Sequence, residues 1–132
     1  MDPLELLRGD DALAEQIAHL HVVPPRPARF AQPTTPLHPR LVERLAANGF
    51  ESFYSHQALA IDGASAGQDL VVVTGTNSGK SLCYTIPTLH ACLSEPAARA
   101  LFLFLTKALA QDQLGKLQTL CPPDVRAAPH AA

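Results

Sequence analysis

The sequence contains no tryptophan, and aromatic residues make up only 5% of it. A folded core must therefore consist mainly of aliphatic side chains, which is feasible because apolar residues account for 47% of the chain. Cysteine is also scarce, and no two cysteines form a C-x-x-C pair. This spacing indicates neither a zinc ribbon nor a disulfide framework. The cysteines are Cys83, Cys92 and Cys121.

Excess charge of one sign and long apolar runs are missing as well. Ten basic residues face 12 acidic ones, for a net charge of −2, so composition alone indicates no affinity for nucleic acid. No run approaches the roughly 18 apolar residues of a membrane-spanning helix, and the acidic N-terminus lacks a signal-peptide pattern. We therefore expect a cytoplasmic protein with no membrane contact. A basic stretch over residues 21–48 is interpreted either as a solvated surface or as one that steers a phosphate backbone.

Hydrophobic periodicity predicts an extension, a partial domain and a tail. Residues 3–20 have a helical pattern starting at Pro3, and residues 21–36, with five prolines, predict a linker or an extended strap. Residues 1–35 thus form a helical and Pro-rich extension, residues 36–123 a partial domain, and residues 124–132 a disordered tail. Histidines such as His19 and His21 lack further ligands at metal-binding spacing, which favours surface positions.

Within the partial domain, strands and helices are predicted to alternate. Helices are predicted over residues 38–48, 81–93 and 107–120, and from Ser55, acting as its cap, to Gly63 or Gly67. Strands buried on both faces are predicted over residues 69–75 and 100–105. The order of strand, loop, helix, strand and helix predicts an α/β fold with parallel strands.

The segment TGTNSGKS, residues 74–81, joins the first predicted strand to a helix, which is the context of a phosphate-binding P-loop. Gly75 and Gly79 permit the tight backbone of such a loop, Lys80 suits the β- and γ-phosphates, and Ser81 suits Mg²⁺. Thr74 stands where the strict pattern has glycine, so a simple strand-to-helix turn is the alternative. The predicted cofactors are ATP and Mg²⁺. The loop residues predicted to bind them are Thr74, Gly75, Thr76, Asn77, Ser78, Gly79, Lys80 and Ser81.

Three segments in sequence order resemble motifs of the DEAD/DEAH-box (superfamily 2) ATP-dependent helicases. VTGTNSGKS followed by LCYTIPTL resembles motif I, LTKALAQDQL resembles motif Ia, and FYSHQALAI resembles the glutamine-bearing segment that reads adenine. SHQALAI, GTNSGKSLCY and TKALAQDQ are most similar to a DNA-repair branch with a C-terminal zinc-binding region. The resemblance covers residues 36–123 and implies the N-terminal part of a first RecA-like motor domain, a partial P-loop NTPase domain.

The resemblance also implies roles for individual residues. Gln57 is expected to read adenine, and Phe53 or Tyr54 either stacks on the base or packs in the core. Thr106 and Lys107 are expected to contact the nucleic-acid backbone, with DNA favoured over RNA.

Two positions depart from the family pattern, and part of the catalytic machinery is not found. Leu105 replaces an expected proline, and Asn77 stands where the family often has glycine or alanine. Hydrolysis in this family needs an acidic DExx motif, but beyond residue 107 the only acids are Asp112 and Asp124. We therefore assign no catalytic residue and expect a helicase fragment. The alternatives are a stand-alone nucleotide-binding or regulatory module that needs a partner chain to complete the motor, and a non-functional remnant.

Overall fold

The structure is a computed structural model that describes residues 4–5 and 9–129. The helices and strands whose bounds it gives are α1 (Asp11–Ala14), β1 (Phe30–Ala31), α2 (Pro39–Ala47), β2 (Phe53–Tyr54), α3 (Ser55–Ser65), α4 (Lys80–Ser94) and α5 (Lys107–Leu120). The helix predicted over residues 107–120 is confirmed at both ends. Of the helical pattern predicted over residues 3–20, α1 forms, but the helix predicted to continue through Ile17 and Leu20 is wrong, because residues 15–20 are not helical. Pro3 lies outside the described residues. No helix within these residues is both long and apolar enough to span a membrane.

The ends of α2 follow from local chemistry. Pro39 lies in the first turn, where a backbone N–H would have no partner within the helix, so the N–H that proline lacks costs no hydrogen bond. The Nδ1 atom of His38 accepts the backbone N–H of Arg40 at 3.3 Å, which satisfies one free donor of that turn. Gly49 follows the helix with a φ of +78°, the left-handed conformation that ends many helices. The predicted stop at this glycine is confirmed.

The start of α3 differs from the prediction by one residue. Ser55 is the first helical residue, so Tyr54 occupies the capping position and the predicted capping role of Ser55 is wrong. The side chain of Gln57 supplies the contact instead, because its Oε1 accepts the Tyr54 N–H at 2.8 Å. The helix ends at Ser65, two residues before Gly67, which has a φ of +74°. This agrees with the later of the two predicted ends, Gly63 and Gly67.

The centre of the molecule is the contact between α3 and α4, which is the most extensive between any two elements. The buried residues of α4 pack mainly against α3. Helix α2 and the end of α5 close the sides of this pair. Each fully buried aliphatic side chain contributes about 2 kcal/mol of transfer free energy. The buried cluster comprises Leu41, Leu45, Phe53, Ala58, Ile61, Ile86, Leu89 and Leu120.

The two predicted parallel strands are not formed as paired strands within the described residues. Their side chains alternate between half-buried and exposed positions, with Val71 90% and Leu103 83% exposed. The prediction that both faces of these segments are buried is therefore wrong. A strand is completed by hydrogen bonds to a neighbour, and the described part of the chain places no strand beside either segment. Because burial alternates from one residue to the next, as side chains do in a strand, each segment packs one of its faces against the protein and exposes the other.

The sheet that does form is antiparallel and joins the N-terminal extension to the partial domain. Phe30 pairs with Tyr54, and Ala31 pairs with Phe53. Sequence periodicity gives no sign of it, because each strand is only two residues long. Its effect is to fix the middle of the Pro-rich segment beside the first turn of α3.

The Pro-rich segment continues across the surface of α3 as the predicted strap. The backbone N–H groups of Thr34 and Thr35 donate to the two carboxylate oxygens of Asp62, at 3.0 and 2.8 Å. These two hydrogen bonds lower the pKa of the Asp62 carboxyl to about 2, and the bond from Thr34 has a larger effect than the bond from Thr35. The carboxylate therefore holds the strap to the helix in its ionised form.

The predicted tail begins later than expected. Asp124 forms a bidentate ion pair with Arg40, and Val125 packs against the buried cluster. Both residues are therefore held against the rest of the chain and do not belong to a disordered tail. Pro122 before them is fully buried. These contacts return the chain to α2 after α5 ends. Residues 130–132 of the predicted tail lie outside the described residues.

We expect the contact between Asp62 and the strap to make stability depend on acid pH. Because the folded-state pKa of about 2 lies below the unfolded value of about 3.9, this contribution is present above roughly pH 5 and disappears as the pH falls toward 2. Thermal unfolding of the wild type and of Asp62→Asn should therefore differ at neutral pH and converge in acid. The exposed Glu15→Gln variant is the control and should follow the wild type. A constant difference between wild type and Asp62→Asn at all pH values would contradict this account.

Candidate functional site

Residues 74–81, here called the glycine loop, run from the end of the first predicted strand (residues 69–75) into the first turn of α4. Gly79 has a φ of +73° and is the N-cap of the helix, and Asn77 has a φ of +60°. Asparagine tolerates this region better than other side chains do, so the departure from the family pattern at residue 77 is accommodated by the backbone. Gly75 has no such constraint, and a Cβ there would meet no atom within 4 Å.

The glycine loop presents unused hydrogen-bond donors. The hydrogen bonds of the described residues use none of the backbone N–H groups of residues 76–81. These groups lead into the N-terminus of a 15-residue helix, whose dipole adds partial positive charge at the same end. Such an arrangement is suited to binding an anion with several oxygens.

Lys80 folds back onto the glycine loop. Its Nζ atom donates to the backbone carbonyl oxygens of Thr74 and Gly75, each at 2.7 Å. The hydroxyls of Thr74 and Ser78 also lie within hydrogen-bond distance, at 2.5 Å. The loop is therefore closed by its own polar groups around the lysine side chain. Thr76 is exposed and Ser81 is half-buried in the first turn of α4.

The first turn of α3 holds the glycine loop from the other side. The Nε2 atom of His56 lies 2.9 Å from the carbonyl oxygen of Ser78, and the Nε2 of Gln57 donates to that of Gly79 at 2.9 Å. Gln57 is only 2% exposed, and its Oε1 already accepts the Tyr54 N–H. One amide hydrogen and one lone pair of Gln57 remain unused, which is the minimum for a further contact with a base.

A cavity of about 400 Å³ opens between the glycine loop and the strap. Phe30 and Tyr54 form part of its wall as a stacked pair, with ring centroids 5.2 Å apart and an interplanar angle of 20°. Tyr54 in turn stacks on His56 at 5.8 Å. Phe53, the other predicted stacking residue, is 6% exposed and packs in the core.

Sequence reasoning missed Phe30 as a wall of this cavity. It lies in the N-terminal extension, 24 residues before its partner Tyr54, and no local pattern links the two. The available signal was its position as a lone aromatic residue within the Pro-rich segment. Polar and aromatic groups thus converge on a cavity beside the glycine loop, an arrangement suited to a nucleotide.

The predicted nucleic-acid residues lie at the start of α5. Thr106 is its N-cap, and its Oγ1 accepts the backbone N–H of Leu109 at 3.2 Å. Lys107 is the first helical residue, and both side chains are exposed. Leu105 is 99% exposed in the position where the family has proline. The hydroxyl of Thr106 therefore has a capping role whether or not it also contacts a ligand.

The described residues contain no group of three or more His, Cys, Asp or Glu side chains arranged to hold a metal ion. A magnesium ion at the glycine loop would consequently depend on the Ser81 hydroxyl together with oxygens of a bound nucleotide. A serine at the start of a helix, directly after a lysine, fits that limited contribution.

Comparison with known proteins places this geometry in a family. The sequence profile of the DEAD/DEAH box helicases matches residues 54–130. The chain is 37% identical over 106 residues to an uncharacterized ATP-dependent helicase YprA from Bacillus subtilis, covering 80% of this chain and 14% of that protein. It is 36% identical over 110 residues to the ATP-dependent helicase HRQ1 of Saccharomyces cerevisiae, covering 83% of this chain and 10% of that protein.

A solved structure gives the same relationship at the level of fold. The crystal structure of the DUF1998 helicase MrfA bound to DNA and AMPPNP superimposes with a TM-score of 0.70 at 38% identity, covering 74% of this chain and 14% of that one. The α/β, RecA-like fold class and the helicase family expected from the sequence are therefore confirmed. The chain spans only about a tenth to a seventh of the length of these relatives.

We expect Gly79 to tolerate substitution far less well than Gly75. A Cβ at residue 79 would meet the Nε2 of Gln57 at 2.5 Å, and its φ of +73° disfavours any L side chain. Gly79→Ala should lower the free energy of unfolding by about 2 kcal/mol, the combined effect of a left-handed backbone and a displaced side chain. Gly75→Ala is the matched control and should change it by less than about 0.5 kcal/mol. Chemical denaturation measures both, and equal losses would refute the role of Gly79.

Proposed function

We propose that this chain, which belongs to the DEAD/DEAH-box helicase family, binds ATP with Mg²⁺ as part of the first motor domain of an ATP-dependent helicase. The observation that carries the proposal is the set of unused N–H donors over residues 76–81, at a helix N-terminus and beside an aromatic-walled cavity. Phosphate oxygens match those donors, and a purine base matches the cavity.

In this proposal the glycine loop functions as a P-loop. Residues 74–79 surround the phosphates with their backbone, and Lys80 exchanges its two carbonyl contacts for phosphate oxygens. Ser81 lies in the turn where its hydroxyl would coordinate Mg²⁺. When bound, the metal ion neutralises phosphate charge. The loop residues that would contact the nucleotide are Thr74, Gly75, Thr76, Asn77, Ser78, Gly79, Lys80 and Ser81.

We assign the adenine to the cavity beside Phe30, Tyr54 and Gln57. The stacked pair of aromatic rings offers an apolar surface at the strap, and aromatic stacking contributes about 1 kcal/mol beyond area burial. Gln57 retains one donor and one acceptor for the base edge while it holds Gly79. The base and the phosphates would then contact the protein on two sides of the same glutamine.

We assign nucleic-acid contact to Thr106 and Lys107, and we favour DNA because the MrfA structure was solved with DNA. An exposed cation in the first turn of a helix, beside free backbone N–H groups, suits a phosphate oxygen. We assign no catalytic residue in this chain. Hydrolysis and unwinding are proposed to need the acidic motif and second motor domain, supplied by further polypeptide or by a partner chain.

Calorimetry with ATP and Mg²⁺ tests the central proposal. Lys80→Ala should weaken ATP binding about 30-fold, equivalent to about 2 kcal/mol, because the substitution removes a charge-assisted hydrogen bond to phosphate. Phe30→Ala should weaken ATP about tenfold but leave inorganic triphosphate unchanged, since it removes only the stacking surface. Neither the wild type nor the variants should hydrolyse ATP alone.

Other results of this titration would contradict parts of the proposal. A folded wild-type chain that binds neither ATP nor triphosphate would refute nucleotide binding altogether. Equal losses for ATP and triphosphate in Phe30→Ala would refute the base assignment while leaving the phosphate site intact. Measurable hydrolysis by the wild-type chain would refute the proposal that hydrolysis needs an acidic motif and a second motor domain from elsewhere.

Titration with single-stranded DNA at several salt concentrations tests the start of α5. Lys107→Ala should weaken binding and reduce the slope of log K against log salt by about 0.7, because each phosphate that a cation neutralises on a single strand adds that amount to the slope. Lys116→Ala is the matched control on the same helix, because its Nζ pairs with Asp112 at 2.7 Å. Equal effects of the two substitutions would show that Lys107 makes no specific phosphate contact.

A further inference from the structure

The N-terminal part of the strap, residues 21–29, is exposed to solvent. All of these side chains are exposed, and the structure assigns neither helix nor strand to them. Three prolines lie within six residues, in the sequence PPRPAR over residues 24–29. Because each proline fixes φ near −65°, such a run favours a polyproline II helix, which needs no internal hydrogen bonds.

The three-residue turn of a polyproline II helix sorts these side chains onto separate edges. Pro24 and Pro27 share one edge, and Arg26 and Arg29 share another. The segment therefore presents an apolar proline edge and a cationic edge side by side. This is the order P-x-x-P-x-Arg, in which prolines fill aromatic-lined clefts and the arginine reaches an acidic site beside them.

The charge around the segment favours an acidic partner. Residues 16–42 contain no aspartate or glutamate, and neither Arg26 nor Arg29 takes part in an ion pair within the described part of the chain. Nucleic acid would also be attracted to the arginines, but it offers no clefts for the proline edge. The pattern as a whole therefore favours a protein partner.

The segment is also held in place at its C-terminal end. The carbonyl oxygen of Arg29 accepts the Ser55 N–H at 2.8 Å, and the β1–β2 pairing follows directly. Further along, Asp62 fixes the strap at residues 34 and 35. A partner thus meets a segment whose conformation is already restricted, which lowers the entropy cost of binding.

We propose that residues 24–29 are a docking site for a partner domain with an aromatic-lined groove and an acidic rim, of the kind that binds polyproline II ligands. The complex would form at the surface of the strap, next to Phe30 and outside the nucleotide cavity. The site is independent of the proposed ATP binding, since none of its six residues belongs to the glycine loop or lines the cavity.

Titration of the full chain with a purified SH3 domain that prefers P-x-x-P-x-Arg peptides tests this proposal, with single-stranded DNA as a second probe. We expect saturable binding of the SH3 domain. It should weaken about tenfold or more in the double variant Pro24→Ala/Pro27→Ala and in Arg29→Glu, since each removes one of the two recognition edges. Pro36→Ala, an exposed proline of the strap outside the motif, is the matched control and should bind like the wild type.

Thermal unfolding of each variant checks that the fold is retained. Absence of SH3 binding by the folded wild-type chain would overturn the proposal, as would equal binding by the double proline variant. DNA binding that disappears in Arg26→Glu/Arg29→Glu, but is kept in the double proline variant, would assign the segment to nucleic acid and likewise overturn it.

Discussion

The side chain of Gln57 is the contact on which the arrangement of the site depends. Its carbonyl oxygen fixes the start of α3 through Tyr54, and its amide fixes the start of α4 through Gly79. Because the group is buried, loss of either bond would leave a polar atom without water, which costs about 1–3 kcal/mol. One glutamine therefore sets the spacing between the aromatic wall of the cavity and the glycine loop.

The packing of α3 on α4 explains how the site keeps its shape beside two unpaired extended segments. Ile61, Ile86 and Leu89 are buried in a helix-to-helix contact that needs no sheet beneath it. The segments that the sequence predicts as strands expose Val71 and Leu103 on the opposite side. The core and the proposed nucleotide site thus lie on the helical side, while the other side exposes apolar side chains of the two extended segments.

Features with local causes could be predicted from the sequence, and features with distant causes could not. The glycine loop and α5 follow from glycine, capping and periodicity signals within a few residues. The bonds from Thr34 and Thr35 to Asp62 and the stacking of Phe30 on Tyr54 join residues 24 to 28 positions apart, with no pattern between them. The strand predictions fail for a related reason, because hydrophobicity marks the segment but pairing depends on a neighbour.

The contacts of Lys80 explain how the glycine loop can be ordered without ligand and still be suited to the phosphate binding that we propose. An ammonium beside a helix N-terminus is repelled by the dipole, so it needs oxygen acceptors in the free protein. The carbonyls of Thr74 and Gly75 supply them. Phosphate oxygens would replace neutral acceptors with charged ones, so the lysine exchanges its hydrogen bonds without being left unpaired, and each new bond is stronger. The same exchange would bring anionic oxygens to the unused N–H groups of residues 76–81. In the proposed complex the binding energy would therefore come from the donors and the charge, while the conformation of the loop is maintained beforehand by its own carbonyls.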